Sequence, residues 1–249
     1  MTSSTDVRGR IAVVPARGGS KRIPRKNIVD FHGKPMIHWP LETLLSSRGF
    51  EVVVVSTDDH EIASVAAQAG PVHIVERPAD LAGDEVPTAP VVVHAVEEIE
   101  RRLGLDVQSV TVLYPTSVFT THEHLTEANH LLASSGARLV MSVGRFRSPL
   151  ARAWSRSAAG LMERLDPAGH LRPSQSLPEA FFDAGQFYIS DRTAWRDWEA
   201  EPTMAVCGLV LSAREAIDMD SPEDLQFARE VFNLRSKSNG KRDPAKDEM

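Results

Sequence analysis

The chain has 249 residues, of which 42% are hydrophobic and 25% are charged, with a formal net charge of −6. This is an ordinary globular composition, and the acidic balance argues against a general nucleic-acid binder. A single cysteine, Cys207, excludes an internal disulfide and a cysteine-rich zinc site. No apolar run approaches the roughly 18 residues of a membrane span, and residues 1–10 lack the apolar core of a signal peptide, so we expect a cytoplasmic protein with no membrane partner.

Short apolar runs alternate with amphipathic segments over the first 143 residues. The apolar runs predict strands at residues 11–14, 52–56, 72–75, 110–113 and 139–143. The segments between them predict helices at residues 35–46, 61–69, 88–103 and 123–134. This alternation indicates an α/β fold with a mostly parallel sheet and helices on both faces. In such sheets ligands bind beyond the carboxyl ends of the strands.

The alternation stops after Val143. Residues 145–180 are rich in arginine and proline, and the segment 166–169 (Asp-Pro-Ala-Gly) predicts a turn between two short strands. We predict a small inserted arm over about residues 145–180. It either contacts a second copy in a homodimer and supplies cations to an acidic substrate, or it is a solvated hairpin.

The end of the chain predicts strands at 187–189 and 206–211 and then a helix capped by Ser221. One domain is expected over residues 11–234. Residues 1–10 are predicted to be a flexible N-terminus and residues 235–249 a disordered tail, because both are polar and poor in apolar residues.

A loop at residues 15–27 follows the first predicted strand and carries two glycines, a serine and five cations. Glycines let backbone N–H groups approach a ligand, and lysine and arginine make charge-assisted hydrogen bonds to phosphate oxygens. The glycine spacing matches neither a Walker A loop nor a dinucleotide-binding fingerprint. We therefore predict a polyphosphate site of another class, with a basic surface turn or a nucleic-acid anchor as the alternative.

Asp218 and Asp220 stand two residues apart in a segment predicted to be extended, so their carboxylates point the same way. Mg²⁺ prefers a few carboxylate oxygens together with water and substrate phosphates. The pair is therefore a candidate metal site, and the alternative is that one aspartate only caps the following helix.

The loop and the aspartate pair occur among motifs that resemble a known family, the cytidylyltransferases that activate nonulosonic acids (the CMP-sialic acid synthetases). The matching motifs, in order, are residues 15–21, 26–27, 33–35, 54–58, 77–78, 115–117 and 217–220. The resemblance covers roughly residues 11–231. Residues 114–116, 174–175 and 179–188 resemble the pseudaminic acid branch most closely, although Tyr114 and Ser174 stand where many sialic acid enzymes carry glutamine and arginine.

This resemblance implies a Rossmann-like nucleotidyltransferase sheet and the transfer of CMP from CTP to the anomeric hydroxyl of an acidic nine-carbon sugar. Mg²⁺ would be the cofactor, held by Asp218 and Asp220. Catalytic roles are predicted for Arg17, Lys21 and Asp220. Nucleotide binding is predicted for Ala16, Arg17, Gly18, Gly19, Ser20, Lys21, Lys26, Asn27, Arg77 and Thr88. Sugar binding is predicted for Tyr114, Thr116, Arg152, Ser174, Gln175 and Gln186.

The resemblance leaves three readings of the activity open. Pseudaminic acid is the expected sugar. A CMP-sialic acid or CMP-Kdo synthetase is the alternative within the same class of enzyme. A non-catalytic CTP-binding homologue is the alternative from another class.

Overall fold

The computed structural model describes residues 8–198 and 201–239. The strands are β1 (Arg10–Pro15), β2 (Asp30–Phe31), β3 (Lys34–Pro35), β4 (Val52–Thr57), β5 (His73–Glu76), β6 (Ser109–Leu113), β7 (Leu139–Arg145), β8 (Trp154–Arg156), β9 (Met162–Arg164), β10 (Phe181–Asp191) and β11 (Val206–Leu211). The helices are α1 (His38–Ser47), α2 (His60–Ala67), α3 (Thr88–Leu103), α4 (His122–Ser135), α5 (Pro167–His170), α6 (Ala194–Asp197) and α7 (Pro222–Asn239).

Seven strands form the central sheet, in the order β11-β7-β10-β6-β1-β4-β5. Strand β1 pairs in parallel with β4 and β6, β4 pairs in parallel with β5, and β11 pairs in parallel with β7. Strand β10 alone runs antiparallel, between β6 and β7. The predicted mostly parallel sheet is therefore confirmed, and all six residues of β4 are buried, as expected for a strand covered on both faces.

Helices cover both faces of this sheet because alternate side chains of each strand point to opposite sides. On one face, Leu41 of α1 and Ile62 of α2 pack with Val14 of β1. On the other face, Ile99 of α3 packs with Val13 of β1. A third apolar cluster joins the β2–β3 hairpin to α7, which brings the end of the chain back beside the first loop.

The segment between β7 and β10 forms an arm that contains the β8–β9 hairpin and α5. The predicted turn at residues 166–169 is wrong: the strands of the hairpin are joined at residues 157–161, where Gly160 takes a left-handed φ of +82°. Asp166 instead caps α5 by accepting a hydrogen bond from the Gly169 N–H at 2.8 Å. The prediction failed because Asp-Pro starts a helix as readily as it starts a turn.

The two ends of the domain differ from the predicted boundaries. Strand β1 begins at Arg10, inside the predicted flexible segment, and α7 continues to Asn239, beyond residue 235 where the predicted tail starts. Residues 1–7 and 240–249 lie outside the described residues. Within the described part of the chain, no helix combines the length and the apolar character that crossing a membrane requires.

Candidate active site

A cleft of about 460 Å³ opens beyond the carboxyl ends of β1, β4 and β6. Its walls come from the loop after β1, the connection before α3, the end of β6 and the segment before α7. The predicted site residues that line it are Arg17, Ser20, Lys21, Lys26, Asn27, Arg77, Thr88, Tyr114, Thr116 and Asp220. These side chains come from four separate parts of the sequence, and they meet because parallel strands end at one edge of the sheet.

The loop after β1 is held to the sheet through its backbone. Ala16 is fully buried and its N–H donates to the Ser56 carbonyl at 2.9 Å, so its side chain belongs to the core rather than to the cleft. The Gly18 N–H donates to Asp58 Oδ1 at 2.9 Å. Asn27 is also buried, and its side-chain amide donates a hydrogen bond to the Arg17 carbonyl at 2.8 Å. This bond ties the two ends of the loop together.

Asp59 determines how closely this loop approaches α2. A Cβ placed on Gly18 would lie 2.6 Å from Asp59 Oδ2, so only glycine fits there, whereas a Cβ on Gly19 would be 3.9 Å from Asp84 Oδ1 and would fit. Asp59 caps α2, and its carboxylate also accepts hydrogen bonds from Arg25. Nη1 of Arg25 donates to Oδ2 at 2.5 Å, and Nη2 donates to Oδ1 at 3.0 Å. The Arg25 hydrogen bonds are the main reason that the pKa of Asp59 falls from 3.8 to about 2. The ion pair between Asp59 and Arg25 was not predicted from the sequence, although an aspartate before a predicted helix indicates a helix cap.

Two cations predicted to bind phosphate are engaged by a carboxylate. Asp84, from the loop before α3, forms ion pairs with both Arg17 and Lys21 and lines the same cleft. Hydrogen bonds from Lys21 and then from Arg17 lower the pKa of Asp84. A phosphate that binds these cations therefore competes with Asp84, which the sequence analysis did not identify.

The opposite wall of the cleft is mostly buried. Arg77 is 6% exposed and donates to the Ser56 carbonyl at 2.9 Å, and burial lowers the pKa of its guanidinium. The Tyr114 hydroxyl lies 2.5 Å from Thr88 Oγ1, and burial raises its pKa. This wall can therefore contact a flat, uncharged group, with the Arg77 guanidinium as its fixed positive charge.

Asp220 of the carboxylate pair lines the same cleft as Asp84, whereas Asp218 is not one of its lining residues. Lys26 Nζ donates to Asp220 Oδ1 at 3.2 Å and to the Met219 carbonyl at 3.0 Å, and Arg22 donates to Asp220 Oδ2 at 2.9 Å. Partial desolvation and then repulsion from Asp220 raise the pKa of Asp218. The two carboxylates thus repel each other, a repulsion that a bound cation would relieve.

Neither Asp218 nor Asp220 caps α7, because Ser221 does, as predicted. The Ser221 hydroxyl accepts from the Asp224 N–H at 3.2 Å, and the Asp224 carboxylate accepts from the Ser221 N–H at 2.8 Å. Within residues 8–198 and 201–239, no group of three or more His, Cys, Asp or Glu side chains could hold a metal ion. A cation at Asp218 and Asp220 would therefore need water or substrate oxygens as further ligands.

Residues 11–170 match the family model described as Cytidylyltransferase. The chain belongs to the cytidylyltransferase family. The matched residues include the loop after β1 and the other parts of the chain that line the cleft, except Asp220.

This cytidylyltransferase is similar to curated proteins along nearly its whole length. It is 33% identical to the pseudaminic acid cytidylyltransferase of Campylobacter jejuni over 230 residues, which cover 92% of this chain and 98% of that protein. It is 32% identical to the CMP-N,N'-diacetyllegionaminic acid synthase of Legionella pneumophila, again over 92% and 98% of the two chains.

Among solved structures, the cytidylyltransferase resembles a CMP:2-keto-3-deoxy-manno-octonic acid synthetase complexed with CTP. The TM-score is 0.66 at 17% identity, over 91% of this chain and 99% of the other. A 4-diphosphocytidyl-2C-methyl-D-erythritol synthase from Anaerococcus prevotii has a TM-score of 0.62 at 11% identity, over 92% and 97% of the chains. At these identities the similarity concerns the fold.

Four residues predicted to bind the sugar do not line the cleft of this cytidylyltransferase. Arg152 donates to the carbonyls of His170 and Arg172, so its guanidinium holds the arm together. Ser174 and Gln175 are exposed in a short 3₁₀ helix of the arm. Gln186 is 1% exposed, because β10 begins at Phe181 and the residue is inside the strand rather than on a loop.

Proposed function

We propose that this cytidylyltransferase couples CTP to the anomeric hydroxyl of a nonulosonic acid, with pseudaminic acid as the first candidate. The hydroxyl oxygen forms a bond to the α-phosphorus of CTP, the bond from that phosphorus to the pyrophosphate oxygen breaks, and the hydroxyl proton is released. The observation that carries the proposal is a single cleft lined by three cations, Arg17, Lys21 and Lys26, together with the Asp220 carboxylate. The full-length similarity to a pseudaminic acid cytidylyltransferase supports this choice of sugar.

Negative charge grows on the leaving pyrophosphate during this reaction, so catalysis depends on positioning and fixed positive charge. Arg17 can grip two phosphate oxygens as a fork, and Lys21, whose side chain is 83% exposed, can follow the end of the triphosphate as a point charge. The Gly18 and Gly19 backbone lets the triphosphate approach closely. Buried Arg77 and half-buried Thr88 would receive the nucleoside, and half-buried Tyr114 beside Thr88 would face the sugar.

Asp218 and Asp220 would hold Mg²⁺, because the residues present suit a hard cation that keeps some of its water. When bound, the ion would neutralise phosphate charge and make the attacking hydroxyl more acidic. Lys26 and Arg22 hold Asp220 in place, each through an ion pair with one of its carboxylate oxygens. Asp220 lines the cleft.

The arm is proposed to contact a second copy of the chain in a homodimer. Its apolar side chains are unusually exposed: Leu161 is 68% exposed, Leu165 64% and Leu171 79%, and Trp154 is 43% exposed. Exposed apolar groups concentrated on one projecting segment mark an interaction surface. A partner arm could also bring Arg152, Ser174 or Gln175 toward the sugar. Light scattering should give a dimer mass, and a monomer at every concentration would contradict this part of the proposal.

The activity is tested by incubating the protein with CTP, Mg²⁺ and a panel of acidic sugars while pyrophosphate release is measured. The panel contains pseudaminic, legionaminic and N-acetylneuraminic acids and Kdo. We expect the fastest release with pseudaminic acid. Faster release with another sugar would reassign the substrate. CTP binding without pyrophosphate from any sugar would indicate a non-catalytic CTP-binding protein.

A further inference from the structure

Gln186 lies in a β-bulge of β10, next to the segment that carries Asp218 and Asp220. The pairing register between β10 and β7 shifts between Asp183 and Tyr188, and Gly185 within this bulge takes a left-handed φ of +60°. Bulges change the direction in which a strand aims its side chains, and they recur next to active sites. The Gln186 side chain points into the protein interior and is 1% exposed.

The amide of Gln186 connects this bulge to the segment that carries the candidate metal ligands. Its Nε2 donates to the Ala184 carbonyl at 3.1 Å and to the Ile217 carbonyl at 2.8 Å. Ile217 directly precedes Asp218. One amide hydrogen bond therefore stays within the bulge, and the other joins the bulge to a segment 31 residues away in the chain.

The backbone of Gln186 is fixed as well. Its N–H donates to Ser142 Oγ at 3.2 Å, and its carbonyl accepts from the Ser117 hydroxyl at 2.5 Å and the Tyr114 N–H at 3.0 Å. Gln186 is thus held by β7 and by the segment after β6 through its backbone, and by the segment before α7 through its side chain. Ile217, bound to its side chain, is tied in turn to the wall of the cleft.

Gly185 faces the Asp218 carboxylate. A Cβ built on Gly185 would lie 3.4 Å from Asp218 Cγ and Oδ1 and 3.5 Å from Oδ2. The bulge therefore presents bare backbone to the Asp218 carboxylate, and the residue before Asp218 is held by the Gln186 hydrogen bond to the Ile217 carbonyl.

We propose that Gln186 and Gly185 are positioning residues that fix the Asp218 carboxylate beside Asp220 and so set the affinity of this pair for a divalent cation. The inference rests on the metal role given to Asp218 and Asp220 under the proposed function. Outer residues of this kind typically change metal affinity by about 10- to 100-fold when they are replaced.

The test uses Gln186→Met, which keeps the length of the side chain and removes both hydrogen-bond donors. CTP affinity is measured by calorimetry without sugar, once in EDTA and once in Mg²⁺, so that no turnover is needed. We expect the variant to keep the affinity measured in EDTA and to lose most of the gain produced by Mg²⁺. In turnover assays, the Mg²⁺ concentration that gives half-maximal rate should rise about tenfold.

Ser190→Ala is the matched control. Ser190 is a fully buried polar residue of the same strand, and its hydroxyl has no hydrogen-bond partner. In this variant, Mg²⁺ should increase the affinity for CTP as much as it does in the wild-type protein. If Gln186→Met also shows the full increase, the positioning role is wrong. If Gln186→Met does not fold, Gly185→Ala takes its place, because it leaves the Gln186 hydrogen-bonding groups intact, adds a methyl group in van der Waals contact with Asp218 and strains the left-handed backbone of the bulge.

Asp218→Asn separates this inference from the proposed function. If Asp218→Asn loses the Mg²⁺ gain and Gln186→Met does not, the positioning role fails alone. If Asp218→Asn keeps the gain, the metal role of the pair fails and the inference fails with it. Absence of pyrophosphate from the wild-type protein with every sugar would overturn the proposed activity while the binding data still test Gln186.

Discussion

Replacing Asp59 tests how the loop after β1 is held. The carboxylate accepts hydrogen bonds from the N–H groups of Glu61 and Ile62 at 2.9 and 3.0 Å and from Arg25 at 2.5 and 3.0 Å. The lowering of its pKa from 3.8 to about 2 corresponds to roughly 2–3 kcal/mol, because one pKa unit is worth about 1.4 kcal/mol. Its side chain is 21% exposed and Arg25 is 37% exposed, so solvent screening reduces the expected contribution to about 1–2 kcal/mol at pH 7.

Two substitutions separate the charge of Asp59 from its capping role. Asp59→Asn keeps an oxygen that can cap α2 and loses the charge, so the free energy of unfolding should fall by about 1–2 kcal/mol. Asp59→Ala loses the cap as well and should cost about 1 kcal/mol more. Asp80→Asn, which neutralises an exposed carboxylate, is the control and should change stability by less than about 0.5 kcal/mol.

The pH dependence provides the decisive measurement. The pKa of Asp59 is lower in the folded state than in the unfolded state, so its stabilisation is complete above the unfolded value and is lost as the pH falls through the folded value. The stability difference between wild type and Asp59→Asn should therefore shrink between pH 3.8 and about 2. Urea unfolding followed by circular dichroism at pH 7, 5, 4 and 3 measures it. An equal difference at pH 7 and pH 3 would refute the reasoning.

Three further substitutions test the cleft. Lys21→Ala should weaken the binding of CTP more than that of CMP, because the cation faces the far phosphates; equal losses in calorimetry would remove it from them. Asp84→Asn should tighten CTP binding severalfold in EDTA, because it frees Arg17 and Lys21 from a competing carboxylate, and unchanged or weaker binding would contradict this. Asp220→Ala should reduce pyrophosphate release at least about 100-fold with a smaller change in CTP affinity; normal turnover at saturating Mg²⁺ would exclude a metal role.

The helices and strands predicted most accurately are those whose ends are marked by residues close together in the sequence. The predicted helix at 88–103 and the predicted strand at 206–211 have the ends that the structure shows for α3 and β11. Both have a clear apolar period and are bounded by proline, glycine or polar residues. The loop after β1 was recognised for a similar reason, since its glycines and cations are adjacent in the chain.

Strand β10 shows where local patterns fail. Residues 187–189 were predicted as a short strand, but the strand extends over Phe181–Asp191 because it is inserted antiparallel between β6 and β7. Its pairing partners and its bulge are set by neighbouring strands that lie far away in the sequence. The same long-range pairing buries Gln186, which was predicted to bind the sugar.

Local sequence patterns were enough to predict the α/β class, the position of the glycine- and cation-rich loop after β1 and the types of residue in the candidate site, because apolar periodicity and runs of polar residues occur in short stretches of chain. Which of those residues meet depends on the tertiary structure. Asp84 reaches Lys21, Asp59 reaches Arg25, and Gln186 reaches Ile217 across 63, 34 and 31 residues of chain. Such contacts depend on sheet order and strand register, which are set by the packing of the whole domain and leave no local signal.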